Sequence, residues 1–91
     1  MRIRWTRFAA ADLESISAYL EVHKPHFREP TMRRLYQRIR DLKSTPYAGR
    51  PGRINGTREL LFAPMPYIAV YRVSPDTIEV LRIFHSAQNR Q

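Results

Sequence analysis

Cysteine is missing from all 91 residues, which excludes disulfides and thiolate metal ligands at the outset. A reducing compartment fits, and the core, alone or with a partner, must supply the stability. Glycine is reduced to Gly49, Gly52 and Gly56, without the lysine or the strand-turn-helix setting of a phosphate-binding loop. Histidine occurs only at 23, 26 and 85, too few and too scattered for a zinc ligand set. No Ser/His/Asp spacing suggests a nucleophilic triad. The expectation is therefore no metal and no cofactor. No apolar run approaches the ~20 residues that span a bilayer, and the opening Met1-Arg2-Ile3-Arg4-Trp5 reads as a strand, not as a signal sequence. A soluble, unprocessed, cytoplasmic protein is expected.

Acid is also scarce, with 8 Asp and Glu against 16 Lys and Arg, so the net charge is +8. Lysine contributes only Lys24 and Lys43, and the excess is arginine, whose planar fork matches phosphates and carboxylates. That bias points to a polyanionic partner, either nucleic acid or an acidic protein segment, with a merely solubilising surface as the bland alternative. At this length the chain is one domain, residues 1–91, burying roughly 60 to 65% of its unfolded surface. Residues 86–91 read as a polar tail.

What is present is ordered simply. Arg2 to Trp5 alternate as a short strand. Thr6 can cap a helix whose apolar stripe, Leu13, Ile16 and Leu20, runs to about His23, with Asp12 and Glu14 near its positive end. Lys24-Pro25 breaks it. A second helix starts between Pro25 and Thr31, with Pro30 placed in its first turn, and buries Leu35, Ile39 and Leu42 while Arg33, Arg34, Arg38 and Arg40 take other faces. Tyr47 to Gly56 is a loop by composition.

From Gly56 to His85, three runs rich in β-branched and aromatic residues read as consecutive antiparallel strands. Strict alternation puts Ile78, Val80, Arg82 and Phe84 on one face of the last, opposite Glu79, Leu81, Ile83 and His85. The fold class is α+β: an N-terminal strand, an antiparallel helical hairpin packed on one sheet face, and a three-stranded antiparallel meander.

The chemistry open to such a chain is metal-independent RNA cleavage. It requires an acid, a base and cations around a phosphate. Arg58, Arg72, Arg82 and the loop arginines could supply the cations and His85 the acid or base. Glu59 is an alternative base, on the face opposite Arg58. Against this, Arg58 and Glu59 could serve in a cross-strand or hairpin ion pair, His85 could be a backbone-bonded strand end, and Tyr67 and Tyr71 packing residues.

Trp5-Thr6 with Ala9, Asp12-Leu13, Ile16 and Tyr19; Leu42 with Pro46; Gly49-Arg50 with Gly56-Thr57-Arg58-Glu59-Leu60; Pro66-Tyr67 with Val70-Tyr71-Arg72-Val73; and Leu81-Arg82-Ile83 with His85 and Gln88 together resemble the RelE/ParE toxins of bacterial toxin-antitoxin modules. The resemblance implies the same order of elements and two alternative activities. ParE-like members poison DNA gyrase, whereas RelE-like members cut messenger RNA on the ribosome. Both are silenced by a cognate antitoxin with an acidic or amphipathic segment. RelE-like nucleases usually carry an arginine where this chain has Ile68, and several end the last strand in a tyrosine where this chain has Ser86. The resemblance therefore favours a gyrase-binding toxin acting through Arg50, Arg53, Arg58, Arg72, Arg82 and His85, with the tail after Ser86 contributing. The alternatives are a ribosome-dependent endonuclease in which His85 is catalytic, and a non-toxic regulatory partner of the antitoxin.

Overall fold

A computed structural model describes residues 1–87. Strand β1 (Arg2–Trp5) leads into helices α1 (Arg7–His23) and α2 (Pro25–Asp41), followed by β2 (Arg50–Pro51), β3 (Arg58–Leu61), β4 (Tyr67–Val73) and β5 (Thr77–His85). The five strands form one sheet in the order β1-β5-β4-β3-β2. β1 pairs parallel to β5, with Ile3 opposite Ile78 and Trp5 opposite Val80, and every other pairing is antiparallel. Among the described residues no helix is long and apolar enough to cross a membrane.

The helices form where the sequence directs them. The Thr6 hydroxyl accepts the Ala9 N–H at 3.0 Å, satisfying one of the orphan donors of the first turn. Lys24 alone joins α1 to α2, closing one helix and opening the next, and Arg28 reaches back to the Ser17 hydroxyl at 3.1 Å. Ala9 and Leu13 of α1 and Leu35 and Ile39 of α2 are buried with Leu42 against Leu60, Tyr67, Ala69, Tyr71, Ile78, Val80 and Ile83 of the sheet, and Leu20 is buried as well. Both tyrosines are thus packing residues.

Several expectations are corrected. Pro25, not Pro30, occupies the first position of α2, and Pro30 lies inside the helix, where it removes a donor from the second turn. The first turn of α1 carries no acid, so Asp12 does not serve the helix dipole. The stretch expected to be pure loop contributes an edge strand: Arg50 pairs with Glu59 and Pro51 with Arg58, extending the meander to four strands. Proline is tolerated there because an edge strand leaves one side without ladder partners. Gly56, with φ of +84°, turns the chain back into β3.

The last strand does not alternate regularly. Val70 faces Arg82 while the next residue, Tyr71, faces Val80, so Leu81 is an extra residue, a β-bulge. The bulge moves Ile83 and His85 to the face of Ile78 and Val80, toward the helices. Arg82 and Phe84 go to the other face with Val70 and Ile68. Ser86 and Ala87 form a turn in which the Ser86 N–H donates to the Pro66 carbonyl at 2.7 Å. The remainder of the expected tail, residues 88–91, lies outside the described residues.

Candidate functional site

The predicted arginines fall on two sides of the sheet. Cross-strand partners share a face, so Arg50, Glu59, Val70 and Arg82 make one row across the helix-free side, and Arg72 and Glu79 another. Arg58 pairs with Tyr71, and His85 with Tyr67, so both project toward the helical side. Four residues of β4 separate those two rungs, roughly 13 Å along the strand at ~3.3 Å per residue. Arg58 and His85 cannot share one phosphate.

Most of these cations already have partners. Arg50 donates through Nε and Nη2 to Oε1 of Glu59 at 3.3 and 3.0 Å. Glu59 is only 3% exposed and also accepts the Arg53 backbone N–H at 3.4 Å, so this carboxylate organises the turn after β2. Arg72 lies 3.6 Å from Glu79, which also pairs with Arg4. Arg58 donates to the carbonyls of Gly49 at 2.9 Å and Tyr47 at 3.4 Å and covers the Tyr47 ring. The expected cross-strand ion pairing holds for Glu59, with Arg50 as its partner, whereas Arg58 takes backbone carbonyls instead. Arg53 keeps an exposed guanidinium on the loop.

Asp12 holds Arg82 by two bonds, at 2.8 and 3.0 Å, and accepts the Ile83 N–H at 2.8 Å. One carboxylate thus neutralises an arginine and closes a donor on the β5 edge beyond the end of β1. The Thr6 hydroxyl serves the neighbouring Leu81 carbonyl at 2.8 Å. The bonds to Asp12 raise the Arg82 pKa above its already high range, against an opposing effect of burial.

Beside this edge, α1, the start of α2 and the ends of β4 and β5 enclose a groove of about 740 Å³. Ile16, Tyr19, Phe27, Met65, Tyr67 and Phe84 line its apolar walls, with Asp12, Arg82, Lys24 and His85 among its polar groups. The Tyr67 phenol is pushed up by burial, with a further contribution from Tyr19. His85 meets the Tyr67 ring edge-on at 5.7 Å, and its Nδ1 accepts the Ala87 N–H at 3.1 Å, which places the imidazole proton of the neutral form on Nε2. Tyr19 and Phe27 are 56% and 61% exposed, an unusual cost for aromatic rings and a mark of a contact surface. The sequence reading missed this groove. Its signal was that Tyr19 and Phe27 fit neither helix's core stripe.

The comparisons with known proteins agree on one family. The family model described as the ParE toxin of the type II toxin-antitoxin system, parDE, matches residues 3–90. Y4kP of Sinorhizobium fredii, a protein named as a candidate toxin, is 42% identical over 87 residues, covering 96% of this chain and 90% of the relative. A chain from the chromosomal ParDE toxin-antitoxin system of P. aeruginosa superposes with a TM-score of 0.81 at 32% identity, over 93% of this chain and 95% of that one. A YafQ mutant from E. coli superposes at 0.68 with 18% identity, covering 93% and 92% of the two chains, and shares the fold. With the hairpin, the sheet and the order of elements in place, the chain belongs to the ParE toxin family and is the toxin of a type II module, with a cognate antitoxin as its partner.

Proposed function

We propose that this chain, acting as a single toxin domain in the cytoplasm, arrests growth by binding and poisoning DNA gyrase, without chemistry of its own. The observation that carries this reading is the dispersal of the nuclease candidates. Arg58 and His85 lie on different rungs far apart, and Arg50, Arg72 and Arg82 face the other side with carboxylates of their own. The position where RelE-like nucleases hold an arginine is Ile68, only 6% exposed. A phosphate-cleaving site needs its cations aimed at one reacting group.

The antitoxin is proposed to seat an amphipathic segment in the groove between α1, α2 and β5, with apolar side chains on Tyr19, Phe27 and Met65 and an acidic group toward Lys24. The exposed loop around Arg53 is the candidate gyrase contact. Induction without antitoxin should stop thymidine incorporation before methionine incorporation, and the purified toxin should inhibit gyrase supercoiling. Messenger cleavage on translating ribosomes, abolished by His85→Ala, would replace this reading with the nuclease one.

A further inference from the structure

The outer surface of α2 takes no part in the groove, the sheet or the core. From Arg33 to Arg40 it carries three exposed arginines, Arg33, Arg34 and Arg40, while the half-buried Arg38 turns inward to the sheet. At ~1.5 Å and ~100° per residue, Arg33 and Arg40 stand almost in line about 10.5 Å apart, roughly three phosphate steps, with Arg34 about 100° round the helix from Arg33. A strand of duplex DNA carries one phosphate per ~3.4 Å of helix axis. We propose that this face of α2 docks on the backbone of duplex DNA.

Charge density is one argument, and the absence of anything else is the second. Positions 33, 37 and 40 form the outermost ridge of α2, Arg33, Gln37 and Arg40, with no apolar residue. A protein partner needs a buried apolar or aromatic anchor, whereas a phosphate backbone does not. Tyr36, the nearest aromatic, leans on Trp5 with ring centroids 5.7 Å apart. The acids nearby compete weakly. Glu29 lies 3.5 Å from Arg33 in a fully solvated i,i+4 pair, and Asp41 accepts from Gln37 at 3.0 Å. Arg38 donates to the Leu61 carbonyl at 3.2 Å, which fixes the inner side of the patch. The phosphate-backbone assignment stands independently of the gyrase reading; the choice of DNA over RNA rests on it.

The test uses the full chain and a fluorescein-labelled duplex of arbitrary sequence, with no gyrase present, so that failure here and failure of the target assignment are separate results. Anisotropy should report binding that weakens roughly 40-fold between about 50 and 200 mM salt if three phosphates are engaged. Arg33→Gln/Arg40→Gln should lower the log-log salt slope by about 2. Arg2→Gln/Arg7→Gln, with the same loss of charge on β1 and the start of α1, should leave the slope near that of the unmodified chain. Equal effects of the two double variants would overturn the proposal, because diffuse net charge would then explain the binding. Tighter binding of a duplex RNA of the same sequence would overturn the choice of DNA. Binding of a poly-glutamate peptide in preference to either duplex would overturn the assignment to nucleic acid.

Discussion

Replacing Tyr71 by phenylalanine isolates what one hydroxyl does for this fold. Tyr71 is fully buried on the central strand, and its hydroxyl accepts the Gly49 N–H at 2.9 Å while donating to the Pro46 carbonyl at 2.7 Å. It therefore clamps residues 46–49, which lead from α2 into β2, onto the sheet. Phenylalanine keeps the ring and its packing, so the change reduces to two lost hydrogen bonds. Gly49 is buried and its N–H would have no water to turn to, a cost of about 1 to 3 kcal/mol, whereas the half-buried Pro46 carbonyl can rehydrate for about 0.5 to 1. The sum, about 1.5 to 4 kcal/mol, is a large part of the ~5 to 14 kcal/mol expected for a domain of this length. It should lower Tm by roughly 6 to 30 °C. Urea unfolding followed by circular dichroism at constant pH measures it. A midpoint shift worth less than about 0.5 kcal/mol, with unchanged m, would refute the reasoning, because the Gly49 donor would then have found another acceptor at no cost. Gly49→Ala provides the cross-check. An added Cβ would stand 2.7 Å from the Glu59 carbonyl oxygen and 2.8 Å from the Tyr71 ring, so it should destabilise by overpacking. The double variant should fall short of the sum of the two, since the hydroxyl is part of the clash.

Asp12→Ala should cost about 1 to 2 kcal/mol by orphaning the Ile83 N–H and freeing Arg82, and Asp12→Asn should recover part of it; thermal unfolding distinguishes them. Arg58→Ala, which releases two loop carbonyls, should lower stability by about 1 kcal/mol, while Arg53→Ala should change it by less than about 0.5 and yet weaken growth arrest, as expression-matched growth curves would show. Tyr67 has a pKa raised by folding, so its contribution to stability is complete below pH ~10 and lost as pH climbs through the folded-state value. Stability measured from pH 8 upward should therefore decline less steeply in Tyr67→Phe. Arg50→Ala should be more damaging than Arg72→Ala, because it takes an ion pair from the buried Glu59 carboxylate, whereas Glu79 is more exposed and keeps Arg4; unfolding midpoints of the two variants test this.

The helices were legible because their signals are local. Thr6, the stripe through Leu13 and Leu20, the Lys24-Pro25 break and the stripe through Leu35 and Ile39 each act within a turn or two. What escaped the sequence depends on residues far apart in the chain. Arg50-Pro51 has no strand propensity of its own and becomes a strand only because β3 offers an unpaired edge. The extra residue at Leu81 is invisible without β4, and alternation read through it assigns Arg82 and His85 to the wrong faces. Asp12 and Arg82, 70 residues apart, each looked like an ordinary surface charge. The candidate site suffered most, since an arginine counts toward a ligand only after its partners within the chain are known. Four of the five predicted arginines turn out to hold a carboxylate or a carbonyl of their own.

The parallel pairing of β1 with β5 sets a clock. Residues 2–5 leave the ribosome about 75 positions ahead of the segment they pair with, a delay of roughly 4 to 15 s at ~5 to 20 residues per second. During that interval Ile3 and Trp5 lack the strand they pair with, and until β3 and β4 follow, the two helices have only each other to cover Leu13 and Leu35. Contacts this distant in sequence also close slowly by diffusion. Ile83, Phe84 and His85, which wall one side of the groove, are translated after every other lining residue. The β5 wall of the proposed antitoxin groove is therefore among the later parts of the chain to be made.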